Sequence, residues 1–169
     1  MAYNFSNVNV LVVESSAEMY KLFKSVLTML SVPERNIDSA YSYEEAFEKF
    51  RSKRHDIIIT DWLQNPDHGI KLTKMIRHGQ ASPNIYVPVI MTAGSGHFNR
   101  VIKARDSGIS EYLVKPFSAD SLSVRIMRVI EKPRPFVMSD AYKGPDRRVR
   151  EVAIGGEDRR KDKYEIEHL

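Results

Sequence analysis

The stretch Asp56-Ile57-Ile58-Ile59-Thr60-Asp61 decides the fold. Three successive isoleucines do not alternate with polar residues, so the strand they form is covered on both faces. Strands of that kind belong to parallel sheets with helices above and below. The run closes on an acid, Asp61, and two other apolar runs close on complementary chemistry. Val87-Pro88-Val89-Ile90-Met91-Thr92-Ala93 delivers the hydroxyl of Thr92, and Glu111-Tyr112-Leu113-Val114-Lys115 delivers an ammonium.

Working outward, residues 8–13 read as a first strand. Ser15 then opens a helix, with Glu18 three places on in a capping-box pattern. Met19, Leu22, Phe23, Val26, Leu27 and Leu30 give that helix a continuous apolar stripe, and Pro33 lies beyond its end. A weak second strand over 37–41 precedes another capping-box start at Ser42 and Glu45, with Ala46, Phe47 and Phe50 facing inward. After Asp61, the loop 62–69 leads to a helix carrying Leu72, Met75 and Ile76 and stopped by Gly79. A fourth strand over 86–92, a Gly94-Ser95-Gly96 loop and a helix ending at Gly108 come next. The fifth strand, 111–115, is followed by Ser118 as a cap and a last helix on Leu122, Ile126, Val129 and Ile130. This alternation predicts a doubly wound α/β fold with a five-stranded parallel sheet and helices on both faces.

The 169 residues suit one ordinary domain with its own core. Hydrophobic residues at 42% and charged residues at 28% give a globular, not a disordered, profile. No apolar run approaches the roughly 20 residues of a membrane helix, and the N-terminal residues show no basic region followed by an apolar stretch. With no cysteine there is no disulfide framework and no thiolate metal site, and cytoplasm is the expected location. A net charge of +4 is too mild, and too interspersed with acids, to indicate nucleic acid.

Pro133 and Pro135 break the last helix, and periodicity disappears beyond them. The reading therefore divides the chain into a domain, 1–132, and a tail, 133–169, that is not a separate domain. In the tail nine Lys/Arg face eight Asp/Glu, so it is no basic arm. It contains an echo, Gly144-Pro145-Asp146-Arg147-Arg148 and Gly156-Glu157-Asp158-Arg159-Arg160. It reads as a solvated extension or as a docking segment. In the second case Phe136, Val137, Met138 and Tyr142 pack on the domain or on a second subunit, and Arg147, Arg148, Arg159 and Arg160 bind acidic partners.

In an open parallel α/β sheet, ligands sit outside the carboxyl ends of the strands. Those ends deliver Glu14, Asp61, Thr92 and Lys115 to one cleft. Asp61 is the candidate nucleophile, since a carboxylate can attack phosphorus and form an acyl phosphate. Anion–anion repulsion must then be relieved, by a divalent cation and by Lys115 on the phosphoryl oxygens. Thr92 can donate its hydroxyl to a further oxygen, and the small Ala93 leaves room for the incoming group.

Glu14, Asp61-Trp62, Gly69, Thr92-Ala93, Tyr112 and Lys115-Pro116 stand in the order and spacing of a known family. Over residues 7 to 131 the chain resembles the receiver domains of response regulators in bacterial two-component signalling, of which the chemotaxis regulator is the simplest relative. The resemblance implies a flavodoxin-like strand order, 2-1-3-4-5. It implies Asp61 as phosphoacceptor, Thr92 and Lys115 gripping the phosphoryl group, and Tyr112 as an aromatic switch. A Mg²⁺ ion on Glu14, Asp61 and the carbonyl of Leu63 is also implied, as is a peptide bond before Pro116 that is often cis in the family.

The implied function is a stand-alone response regulator, not a conventional enzyme. It would be phosphorylated by a histidine kinase or phosphotransfer protein and would act through a downstream protein or as a homodimer. Two departures stand out. Ser15 occupies the place of a second acid that normally touches the metal, which predicts weakened Mg²⁺ binding. Asn65-Pro66 puts the loop proline one place later than usual. The alternative is a degenerate receiver that takes no phosphate and serves as an adaptor through its tail.

Overall fold

The computed structural model describes residues 4–63, 67–148 and 165–167. Five parallel strands form the main sheet: β1 (Val10–Val13), β2 (Ile37–Ala40), β3 (Ile57–Asp61), β4 (Val89–Ala93) and β5 (Glu111–Val114). Their order is β2-β1-β3-β4-β5, with every neighbouring pair parallel. Five helices alternate with them: α1 (Ala17–Met29), α2 (Tyr43–Ser52), α3 (His68–His78), α4 (Phe98–Ser107) and α5 (Ala119–Glu131).

The isoleucine run does what its lack of alternation predicts. Ile57 and Ile59 join Val10, Val12 and Ile90 in a core closed by Phe23, Val26 and Leu27 of α1 and Leu122 and Ile126 of α5. Ile58, one residue out of phase, points to the opposite core with Leu11, Val89 and Met91, under Phe47 and Phe50 of α2 and Leu72 and Ile76 of α3. All three isoleucines are fully buried, so truncating any one to alanine costs about 2–5 kcal/mol.

Three of the boundaries that differ from the sequence reading have a visible cause. Ser16, not Ser15, caps α1: its Oγ accepts from the Met19 amide at 3.3 Å, and Ser15 is exposed. β1 begins at Val10 because the Val8 amide closes a 3₁₀ turn on the Phe5 carbonyl. β4 begins at Val89 because Arg77 holds the preceding carbonyls of Ile85 and Val87, at 2.5 and 2.8 Å.

Beyond α5 the described residues form short strands where the fading periodicity suggested no regular element. β6 (Phe136–Met138), β7 (Lys143–Pro145) and β8 (Glu165–Glu167) form a small antiparallel sheet in the order β7-β6-β8. Strands of three residues carry too little pattern to register as such. Within one chain the described part of this segment packs on the domain that precedes it. Phe136 is buried edge-on against Tyr86, with ring centroids 4.7 Å apart, and beneath the Arg77 guanidinium. Gly144 meets Gly108, the left-handed C-cap of α4, so closely that a Cβ on Gly144 would lie 2.7 Å from the Gly108 Cα. Arg147 pairs with Asp106 of α4 at 2.8 Å and stacks over Tyr142. These contacts lie where β4 and β5 begin, at the opposite end of the sheet from Asp61.

Candidate functional site

At the carboxyl edge of the sheet, adjacent strands bring the expected residues together. Asp61 ends β3 and is in register with Thr92 of β4. Lys115 follows directly on β5, its amide bonded to the Ala93 carbonyl at 2.8 Å, and the Lys115-Pro116 peptide is cis. Glu14 follows β1 and is buried at 3% exposure.

The Lys115 ammonium donates to Asp61 Oδ1 and to Glu14 Oε2, each at 2.9 Å. Burial alone would lower its pKa, but the hydrogen bonds and charges of Asp61 and Glu14 outweigh burial and raise it. It is therefore a fixed cation at neutral pH. The other oxygens are held by main-chain donors: Asp61 Oδ2 accepts from the Leu63 amide at 3.0 Å, and Glu14 Oε1 from the Ser16 amide at 2.9 Å. Thr92 Oγ1 differs from its neighbours. It is buried and makes no hydrogen bond among the described residues. A buried hydroxyl left unpaired costs about 1–3 kcal/mol, which an oxygen arriving in the cleft recovers.

The loop after Asp61 is fixed by contacts on either side. The Trp62 amide donates to the Thr92 carbonyl at 2.8 Å, and the Gly69 amide to the Trp62 carbonyl at 2.9 Å. A Cβ on Gly69 would sit 2.5 Å from the Asp61 carbonyl oxygen, so the start of α3 can approach the acid only as glycine. Arg100 of α4 stacks over the buried Trp62. Lys103 pairs with Asp67, whose carboxyl that contact holds below its usual range. Residues 65 and 66, the displaced proline step, lie outside the described residues.

The oxygen set suits a small hard cation. Glu14 and Asp61 already converge on one ammonium, and Leu63, left-handed at φ +59°, stands two residues past Asp61. Mg²⁺ commonly takes one or two carboxylates and completes its shell with water and phosphate oxygens. Among the described residues no group of three or more carboxylates, histidines or cysteines is placed to hold a metal ion.

Tyr112 lies half-buried on β5, and its hydroxyl donates to the Ser95 carbonyl in the β4–α4 loop at 2.5 Å. Of the tail arginines, Arg147 and Arg148 pair with Asp106 and Asp146 of their own chain, and Arg159 and Arg160 lie outside the described residues. Sequence reasoning missed Arg77, which is fully buried and donates to the carbonyls of Gly108, Ile85 and Val87. Its one sequence signal is its place beside Ile76 on the inner edge of α3.

The chain is similar to known proteins in sequence and in fold. The family model described as the response regulator receiver domain matches residues 10–127. Chemotaxis protein CheY-3 of Vibrio cholerae is 27% identical over 126 residues, covering 75% of this chain and 94% of that protein. The phosphate regulon transcriptional regulatory protein PhoB of Rhizobium meliloti is 26% identical over 130 residues, covering 70% of this chain and 56% of PhoB. The receiver domain of the Francisella response regulator 1452 superposes with a TM-score of 0.65 at 26% identity, over 76% of this chain and all of that one. A two-component response regulator from Clostridium difficile gives 0.64 at 22% identity, over 75% of this chain and 98% of that one. With the strand order, the acid–ammonium pair and the matched span in agreement, this chain belongs to the response regulator receiver domain family.

Proposed function

We propose that this receiver is a stand-alone phosphoacceptor switch, with Asp61 as the acceptor. A histidine kinase or phosphotransfer protein supplies the phosphoryl group from a phosphohistidine. An Asp61 carboxylate oxygen attacks phosphorus, the P–N bond breaks, the imidazole nitrogen takes up a proton, and an acyl phosphate remains. Lys115 shifts from the carboxylate to a phosphoryl oxygen, and the Thr92 hydroxyl donates to another. Glu14, Asp61 and the Leu63 carbonyl would hold a Mg²⁺ ion, which would supply charge neutralisation for the transferring group. Water hydrolyses the acyl phosphate and resets the site, so the protein signals and is not an enzyme acting on a separate substrate.

The observation that carries this reading is the unpaired, buried Thr92 hydroxyl on the strand next to the Asp61–Lys115 pair. Once Thr92 is drawn toward the phosphoryl group, Tyr112 exchanges its Ser95 contact for an inward position. The β4–α4 loop and α4 then change the surface offered to a downstream protein or a second copy. Such couplings amount to about 1–3 kcal/mol. Residues 1–132 carry the switch, residues 133–169 are its appendage, and the cytoplasm is its place. No helix among the described residues is long and apolar enough to cross a membrane.

Acetyl phosphate or a phosphorylated kinase, with Mg²⁺, should add the mass of one phosphoryl group to the wild type and none to Asp61→Asn. A wild-type chain that never gains that mass would instead support the adaptor working through its tail.

A further inference from the structure

A cavity of about 430 Å³ lies between α4, β5, α5 and the C-terminal extension. Its walls are in part apolar, from Ile109, Val129 and Phe136, and two tyrosine rings, Tyr86 and Tyr112, line it. Around them stand Arg105, Arg125, Arg128, Lys132, Arg134 and Arg148, with Glu111 the only acid in the lining among the described residues. The size falls in the range of roughly 300–1,000 Å³ that small-molecule sites occupy.

Among the described residues the acids around the cavity are fewer than the cations. Arg125 and Arg128 share the Glu111 carboxylate, at 2.6 and 3.6 Å. Arg105 and Arg147 share Asp106, at 3.6 and 2.8 Å, and Arg148 takes Asp146. Arg134 donates to the main-chain carbonyls of Ser110 and Asp146, which carry no net charge. Lys132 makes no ion pair among the described residues, and the Arg105 Nε is buried without a hydrogen-bond acceptor among them. Positive charge in excess of its partners, next to low-dielectric walls, focuses potential on the cavity.

We propose that this cavity binds a small phosphorylated molecule with a flat ring, of the nucleotide class. Guanidinium forks match phosphate oxygens two at a time, and aromatic faces accept a planar base. The extension completes the site, because Phe136, Pro145 and Arg148 form one wall and the receiver core the other. The site stands apart from the phosphoryl cleft, so its occupancy does not depend on Asp61 being a phosphoacceptor.

Calorimetric titration of the full chain with ADP, pyrophosphate and adenosine tests the assignment. ADP should bind at least about tenfold more tightly than pyrophosphate and about a hundredfold more tightly than adenosine. Arg128→Gln combined with Lys132→Gln, both exposed on the last turn of α5 or just past it, should weaken ADP by at least about tenfold. Arg105→Gln should do the same from the other wall, and Lys21→Gln on α1 should change nothing. Asp61→Asn should bind ADP as the wild type does, which separates this site from the phosphoryl chemistry. Absence of saturable ADP binding at millimolar concentration overturns the proposal, as does equal ADP affinity in the folded double variant. Pyrophosphate binding as tightly as ADP would reduce the cavity to an inorganic-anion site and also overturn it. A poly-glutamate peptide that binds where ADP does not would assign the charge to an acidic protein partner, and the nucleotide assignment would fall with it.

Discussion

Lys115 and Glu14 stand 101 positions apart in the chain and meet at 2.9 Å, with Asp61 on the same ammonium. One cation thus holds two acids in a cleft that a second cation is to enter. Glu14→Gln keeps the shape but removes a charge, and turns an amide donor toward Lys115 or the Ser16 amide. A unit charge 4 Å away is worth about 4 kcal/mol at an effective dielectric of 20, less near solvent. Mg²⁺ affinity, followed by Trp62 fluorescence, should fall roughly tenfold to a hundredfold in Glu14→Gln. Ser15→Asp should raise it by a similar factor.

The pH dependence of the cleft follows from Lys115. Its folded pKa is raised, so the stability it contributes is fully present below the unfolded value of about 10.4. That contribution is lost only as pH rises through the still higher folded value. Thermal unfolding from pH 8 upward should show wild type and Lys115→Met in constant difference until about pH 10, then converging.

Gly69→Ala tests the approach of α3 to Asp61. Alanine is the better helix former by roughly 0.5–1 kcal/mol, but its Cβ would meet a main-chain oxygen at 2.5 Å. Overpacking of that kind costs about 1–3 kcal/mol. Urea denaturation should show net destabilisation, and phosphorylation of Asp61 should slow because the loop carrying Leu63 must shift.

Arg77 is the most buried charged side chain among the described residues. Burial pushes its pKa down to about 10, so it stays charged at neutral pH while donating to three carbonyls. Arg77→Met removes those donors and leaves the carbonyls of Gly108, Ile85 and Val87 without them. At about 1–3 kcal/mol for each buried group left unpaired, a loss of about 3 kcal/mol or more in chemical denaturation is expected.

Gly144→Val should release the extension without touching the core. The added Cβ would run into Gly108 and the Tyr142 hydroxyl, within 2.7 Å of each. Amide exchange over 136–145 should accelerate at least about tenfold, while β1 and β3 keep their protection.

The five strands and the meeting of Asp61, Thr92 and Lys115 at their carboxyl ends were legible because each rests on a local pattern. Ile57-Ile58-Ile59 declares burial on both faces, and Asp61, Thr92 and Lys115 each terminate an apolar run. The start of β4 was misplaced because a side chain from α3 takes the carbonyls that a strand would have used. The extension was illegible for the reverse reason. Its strands span three residues each, and its order comes from tertiary contacts, Phe136 on Tyr86 and Gly144 on Gly108. No window of sequence contains both partners of such a contact.

The meeting of Gly144 with Gly108 governs how α4 can move. Its last turn is pinned there, and by Arg147 on Asp106, while Phe98 at its first turn is 76% exposed and His97 provides no side-chain cap. The first half of the helix is tied only by long side chains, Arg100 over Trp62 and Lys103 on Asp67, so it swings more easily than it slides. Ten residues make an arm of about 15 Å, so a tilt of a few degrees about the glycine fulcrum moves Phe98 most and Asp106 least.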